Sequence, residues 1–149
     1  MVNKRPEKTG RSFEKNIEAQ LINLGYIKVK ATEFLDYSNH SDGKYFSSQF
    51  NLGKNIYNTN QIVDFIISRK NEKPLVIQAK WQQSKGSVDE KFPYLIINLK
   101  EKSQFDSLFV IDGGGYRKDA IAWMKEQIDE KLIGILSYSE FMVWSNDEL

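Results

Sequence analysis

Residues 61–81 read QIVDFIISRKNEKPLVIQAKW, two apolar runs joined by a charged link. Gln61–Ser68 is β-branched and aromatic, Pro74–Trp81 is a second such run, and the charged link RKNEK between them is short. Two runs so spaced form a β-hairpin or two adjacent strands. In the first run Asp64 places a carboxylate inside what otherwise reads as core, which is costly unless it lies at a strand end, is paired or faces a cation. In the second, Gln78 and Lys80 are two apart, so both project to one face of a strand while Ile77 and Ala79 project to the other.

Downstream, Val88 to Lys102 places Phe92, Leu95, Ile96 and Leu99 at helical spacing. Pro93 is tolerated only in a first turn, so that helix is expected to start near Asp89–Lys91. Ser107–Asp112 (SLFVID) reads as a strand ending in Gly113-Gly114-Gly115, Arg117–Glu130 as a helix with Ile121, Met124 and Ile128 on one face, and Leu132–Tyr138 as another strand. A polar-aromatic tail with a helical stretch at 139–143 follows. Upstream, Ser12 is placed as an N-cap, Phe13, Ile17, Leu21 and Leu24 recur at helical spacing, and Gly25 takes the position that ends the helix. Tyr26–Lys30 alternates as a short strand. Residues 32–60, rich in Asn, Ser, Asp and Gly with Phe34, Tyr37, Tyr45, Phe46, Phe50 and Tyr57 interspersed, read as loops around one or two strands. Residues 1–10, MVNKRPEKTG, read as a flexible basic arm. The alternation of strands and helices predicts an α/β fold: a central mixed β-sheet flanked by helices on both faces. No internal repeat or linker divides the chain, so residues 1–149 are expected to form a single domain.

Composition narrows the chemistry. The 149 residues carry 21 Lys+Arg against 20 Asp+Glu, one His and no Cys. Without cysteine there is no disulfide framework, no Cys-ligated zinc and no thiol nucleophile. A single histidine, His40, excludes any site built on two imidazoles; it lies in a polar stretch, SNHSDG, that reads as a solvated loop. No apolar run approaches the roughly 20 residues of a membrane span, and the basic start is not followed by the apolar segment of a signal peptide. A cytoplasmic protein is the expectation. The near-zero net charge hides a gradient: +4 over residues 1–30, +2 over 31–118 and −5 over 119–149.

If Asp64, Gln78 and Lys80 meet at one sheet edge, they offer a carboxylate and an amide oxygen to a cation, with an ammonium beside them. The backbone carbonyl of Ala79 adds another oxygen. Hard oxygen ligands suit Mg²⁺, which keeps several waters, and such an ion activates water and stabilises charge on a phosphate. The same residues also fit an Asp64–Lys80 ion pair with Gln78 as an edge-strand polar side chain. Residue chemistry leaves both readings open.

The arrangement resembles the PD-(D/E)XK nuclease superfamily, whose signature is an acid on one strand followed by acid-x-Lys on the next. The matching pieces are Asp64 in IVDFI and Gln78-Ala79-Lys80 in VIQAK, with thirteen residues between Asp64 and Gln78. Gln stands where the second acid is usual, as in the Mrr-like restriction nucleases, and Val63 stands where Pro is usual. An upstream helix bearing a glutamate is typical, and Glu14 in RSFEKNIEAQLINLGY takes that place. KGSVDEKFPY is similar to the segment after the catalytic lysine in small type II restriction-endonuclease-like proteins.

The resemblance implies a restriction-endonuclease-like core and a Mg²⁺-dependent DNA endonuclease, with Mn²⁺ as substitute. Asp64, Gln78 and the Ala79 carbonyl would hold the metal, Lys80 would assist the attacking water, and Glu14 would support the metal or its waters. Glu90 and Gln83 are possible additional members. Lys4, Arg5, Lys8, Arg11, Lys85, Lys91, Arg117 and Lys118 would contact DNA; the glycine turn before Arg117 lacks the spacing of a P-loop. A nuclease of this size would act as a homodimer or as a subunit of a larger enzyme. The alternatives are a structure-selective nuclease such as a Holliday-junction resolvase, or a catalytically inactive DNA- or protein-binding relative.

Overall fold

The computed structural model describes residues 10–86 and 88–149. Helix α1 (Gly10–Asn23) leads to the two-residue strand β1 (Ile27–Lys28), a 3-10 turn (Ala31–Glu33) and helix α2 (Phe34–His40). Three long strands follow: β2 (Tyr45–Lys54), β3 (Asn60–Arg69) and β4 (Glu72–Trp81). After a 3-10 turn at Val88–Lys91 come α3 (Phe92–Glu101), β5 (Asp106–Asp112), α4 (Lys118–Glu126), β6 (Leu132–Leu136) and α5 (Tyr138–Glu148). The six strands form one sheet in chain order. β2, β3 and β4 are antiparallel to one another, β4, β5 and β6 run parallel, and β1 is parallel to β2. This is the expected mixed α/β sheet, and the helices between β4, β5 and β6 are the crossovers that parallel pairing requires.

Two cores lie on the two faces. One holds Phe13, Ile17 and Leu21 of α1 and Phe141 of α5 against Phe65, Ile67, Ile77, Leu108 and Val110. The other holds Phe34 of α2, Phe92, Ile96 and Leu99 of α3 and Met124 of α4 against Ile66, Val76 and Phe109. Phe34, Phe46, Phe65, Phe92, Phe109 and Phe141 are all fully buried. Each such side chain contributes about 1.5–3 kcal/mol through area removed from water.

The hairpin of β2 and β3 changes face halfway along. Phe65 and Ile67 belong to the α1 core, whereas Val63 belongs to the α3 core, so simple alternation breaks at Asp64. On β2, Phe46 and Phe50 part in the same way, with Gln49 between them in the left-handed region at φ 53°. The register pairs Ser48 with Phe65 and Phe50 with Val63, which sets Gln49 across from Asp64. Both strands therefore turn over at one level, and that level is where the candidate site sits.

Several elements differ from the sequence expectation. Ser12 lies inside α1 rather than at its cap, while Gly25 does end the helix, at φ 90°, with the Tyr26 N–H bonded to the Leu21 carbonyl. Residues 31–40 are helical rather than looped, because Phe34 is drawn into the core. His40 is thus in the last turn of α2, where Nδ1 lies 2.9 Å from the Asp36 carbonyl oxygen, on the surface. Helix α4 stops at Glu126 instead of Glu130. The Asp129 carboxylate accepts the N–H groups of Lys131 and Leu132 and folds the chain into the turn before β6, which leaves Ile128 exposed. The tail is a full eleven-residue helix, α5. Among the tryptophans, Trp81 packs on Phe13 and Trp144 on Phe141, while Trp123 is partly exposed on α4.

Candidate active site

The β3–β4 ladder runs in register from Ile67 opposite Leu75 to Phe65 opposite Ile77 and then opens. Beyond that point side chains replace backbone partners. The Asp64 N–H donates to Gln78 Oε1 at 3.2 Å, and the Ala79 N–H donates to Asp64 Oδ2 at 2.8 Å. The face change at Asp64 is what separates the strands, and these two bonds satisfy backbone donors that would otherwise be buried without partners. Since N–H and C=O of one strand residue project to the same edge, the Ala79 carbonyl also faces the gap.

Helix α1 brings Glu14 to the opening. Its carboxyl is raised from an ordinary 4.5 to about 7, first by burial, then by the charge of Asp64 and a hydrogen bond shared with it; the Lys80 ammonium opposes part of the rise. At neutral pH the Glu14 carboxyl is thus protonated in part, since burial and the neighbouring Asp64 charge disfavour its ionised form. Gln49 Nε2 donates to Glu14 Oε1 at 3.4 Å from the turned-over segment of β2. Among the described residues no ion pair joins Asp64 to Lys80. Ile77 and Ala79 lie in the α1 core, which turns Gln78 and Lys80 to the opposite side of β4. Lys80 is half-buried, and Gln78 is only 4 % exposed.

Glu14, Asp64, Gln78 and Lys80 are therefore brought together from three elements. Gln49 joins them, and no local pattern announces it: a left-handed glutamine in a strand carries no sequence signal. A divalent cation fits this donor set. Two carboxylates already crowd each other, Gln78 Oε1 keeps one lone pair, and the Ala79 carbonyl faces the same gap, so all donors are hard oxygens. No cluster of three or more His, Cys, Asp or Glu capable of holding a metal occurs among the described residues, so any cation would depend on the amide and carbonyl oxygens as well.

The remaining candidates fall elsewhere. Glu90 pairs with Arg117 at 3.2 Å. Gln83, Lys85 and Arg117 line a cavity of about 570 Å³ beside the glycine turn, together with Asp89. Asp89 Oδ2 accepts the Arg117 N–H at 3.2 Å and lies 3.6 Å from Nε, leaving Oδ1 buried without a partner. Tyr116 also lines this cavity, and burial first, then Asp112 and Asp89, push its phenol far above the usual range. Lys118 lines a different cavity of about 370 Å³ with Lys125 and Glu140. Arg11 and Lys91 are exposed on α1 and before α3. Lys4, Arg5 and Lys8 lie outside the described residues.

The glycine turn has a packing explanation. A Cβ on Gly113 would lie 2.5 Å from the Gln82 carbonyl oxygen, and one on Gly115 would lie 2.5 Å from that of Ser84. Gln82 braids the two loops: its Nε2 donates to the Gly115 carbonyl, its carbonyl accepts the Gly115 N–H, and its Oε1 accepts the Val88 N–H.

A sequence model of the PD-(D/E)XK nuclease superfamily domain matches residues 5–149. The chain belongs to the PD-(D/E)XK nuclease superfamily and carries a nuclease domain. No curated protein and no solved structure matches it. No helix among the described residues is long and apolar enough to cross a membrane.

Proposed function

We propose that this chain is a Mg²⁺-dependent DNA endonuclease. The observation that supports it is the meeting of Glu14, Asp64 and Lys80 where β3 and β4 part, inside a nuclease domain. Asp64, Gln78 and the Ala79 carbonyl would hold the cation, with Glu14 completing the charge. When bound, Mg²⁺ or Mn²⁺ there supplies a water of lowered pKa and stabilises charge developing on the phosphate. Glu14, protonated in part on its own, would carry full charge beside a bound cation, since positive charge favours the carboxylate. The Lys80 ammonium orients the attacking water or stabilises the phosphorane-like oxygens electrostatically. Arg11, Lys85, Lys91, Arg117 and Lys118, with the N-terminal Lys4, Arg5 and Lys8, would hold the backbone, while Gln83 and Glu90 stand near the loop contacts. Two strands need two sites, so a homodimer or a place in a larger nuclease follows.

A second reading has its own support. Gln78 spends one lone pair on the Asp64 N–H and brings no charge, which suits a relative that binds nucleic acid without cutting it. The discriminating assay incubates the full chain with linear duplex, plasmid and four-way junction DNA, with Mg²⁺, with Mn²⁺ and with EDTA. Asp64→Ala and Lys80→Ala are each expected to lower cleavage by about 100-fold or more. Unchanged metal-dependent cleavage in either variant overturns the assignment. Absence of cleavage with DNA binding intact selects the inactive reading, and cutting confined to the junction selects the resolvase.

A further inference from the structure

The tip of the β2–β3 hairpin carries an aromatic pair that the active site does not use. Tyr57 is 72 % exposed, yet its ring lies against Tyr94 in the first turn of α3, with centroids 5.4 Å apart and planes inclined by 22°. One face of Tyr57 is therefore backed by a second ring and the other is open. The chain fixes this ring in place. Asn55 Oδ1 accepts the N–H groups of Tyr57 and Thr59 at 2.9 and 3.1 Å, and Asn55 Nδ2 donates to Thr59 Oγ1 at 2.8 Å. The Ile56 N–H donates to Oδ1 of the buried Asn98, which pins the tip onto α3. An exposed ring held this way has already given up freedom that binding would otherwise remove.

Its surroundings indicate what lands on it. Asn58, Thr59 and Asn60 are exposed polar residues of the tip, and Ile97, one turn on from Tyr94 along α3, is exposed as well. Two lysines lie close in the chain: Lys54 at the end of β2, whose Nζ donates to Asn60 Oδ1 at 3.2 Å, and the exposed Lys91, three residues before Tyr94. An exposed aromatic face held on a second ring, with lysines close in the chain and exposed amide groups at the tip, suits a nucleobase whose phosphates lie beside it. Bases inside a duplex offer no free face, whereas an unpaired, extruded or terminal base does. Four strand residues, about 13 Å, separate Asn60 from Asp64.

We propose that Tyr57, backed by Tyr94, is a stacking platform for an unpaired nucleobase, so that the chain selects nucleic acid with a single-stranded or extruded base near the cut phosphate. This rests on the nucleic-acid reading of the active site. The test measures binding of the full chain in EDTA to a single-stranded oligonucleotide containing 2-aminopurine, and to a dumbbell duplex of the same sequence closed at both ends by non-nucleotide linkers, which leave no unpaired base. Tyr57→Ala is expected to weaken single-strand binding by about 5- to 100-fold and to abolish the fluorescence quenching that stacking produces. Tyr57→Phe keeps both, and dumbbell affinity is the same for all three proteins. Equal single-strand affinity of Tyr57→Ala and the parent, with an unchanged melting midpoint, overturns the platform alone. Equal losses on single strand and dumbbell overturn it as well, since they mark a general contact. If the parent binds neither nucleic acid, the active-site reading falls and the platform falls with it.

Discussion

Glu14 keeps a half-buried carboxyl beside that of Asp64, and full charge on both is costly. The folded chain holds the Glu14 proton up to about pH 7, whereas an unfolded chain releases it near 4.5. Below that lower value both states are protonated and the stabilisation is intact. Between the two values the folded state binds the extra proton, so stability falls as pH rises and the loss is complete above about pH 7. Glu14→Gln, which can still donate to Asp64, should therefore be as stable as the parent near pH 4 and more stable at pH 8. Urea denaturation in EDTA at both pH values reads this directly; an equal gap at the two pH values would refute it. Added Mg²⁺ should reverse the order at pH 8, because only the parent retains the full donor set. Asp64, Gln78 and Lys80 stood out in the sequence as polar groups on apolar strands, whereas Glu14 was pointed to only by the family resemblance. Gln49 was not legible there, since its role comes from a left-handed backbone angle set by the turning of two strands.

At the scale of the element, α5 is started by Ser137. Its hydroxyl accepts the Glu140 N–H while the Glu140 carboxylate accepts the Ser137 N–H, a reciprocal cap that satisfies two donors at the helix start. Ser137→Ala should cost about 1 kcal/mol in urea unfolding, and a change within error would mean that α5 is held by Phe141 alone. The Ser-x-x-Glu spacing was present in the sequence, but polar and aromatic residues blur the periodicity that follows it. Helix α2 was hidden for another reason. Its seven residues are too few to show a period, and they are helical because Phe34 finds a pocket beside Phe50. The strands of the central hairpin were plain because long β-branched runs, bounded by a short charged turn, have few other ways to bury themselves.

Across the whole molecule, a net charge of +1 does not by itself mark a polyanion binder. The acidic excess is confined to the last 31 residues, so phosphate contacts would come from cations earlier in the chain, among them Lys85 beside the glycine turn and Lys91 before α3. If Lys85 and Lys91 each meet one phosphate, removing both should lower the slope of log affinity against log salt by about 2. An unchanged slope in titrations over a range of salt concentrations would assign those contacts elsewhere. The alternation that makes a mixed α/β sheet, and the types and spacing of the polar residues on its central strands, can be read along the chain. These are local properties, fixed by periodicity and by the cost of burying charge. Packing between elements sets the turning over of β2 and β3 at Gln49 and Asp64, the bridge from Gln78 to the Asp64 N–H, and the stacking of Tyr57 on Tyr94. Each of those depends on elements distant in the chain packing against one another, and no neighbouring residue encodes it.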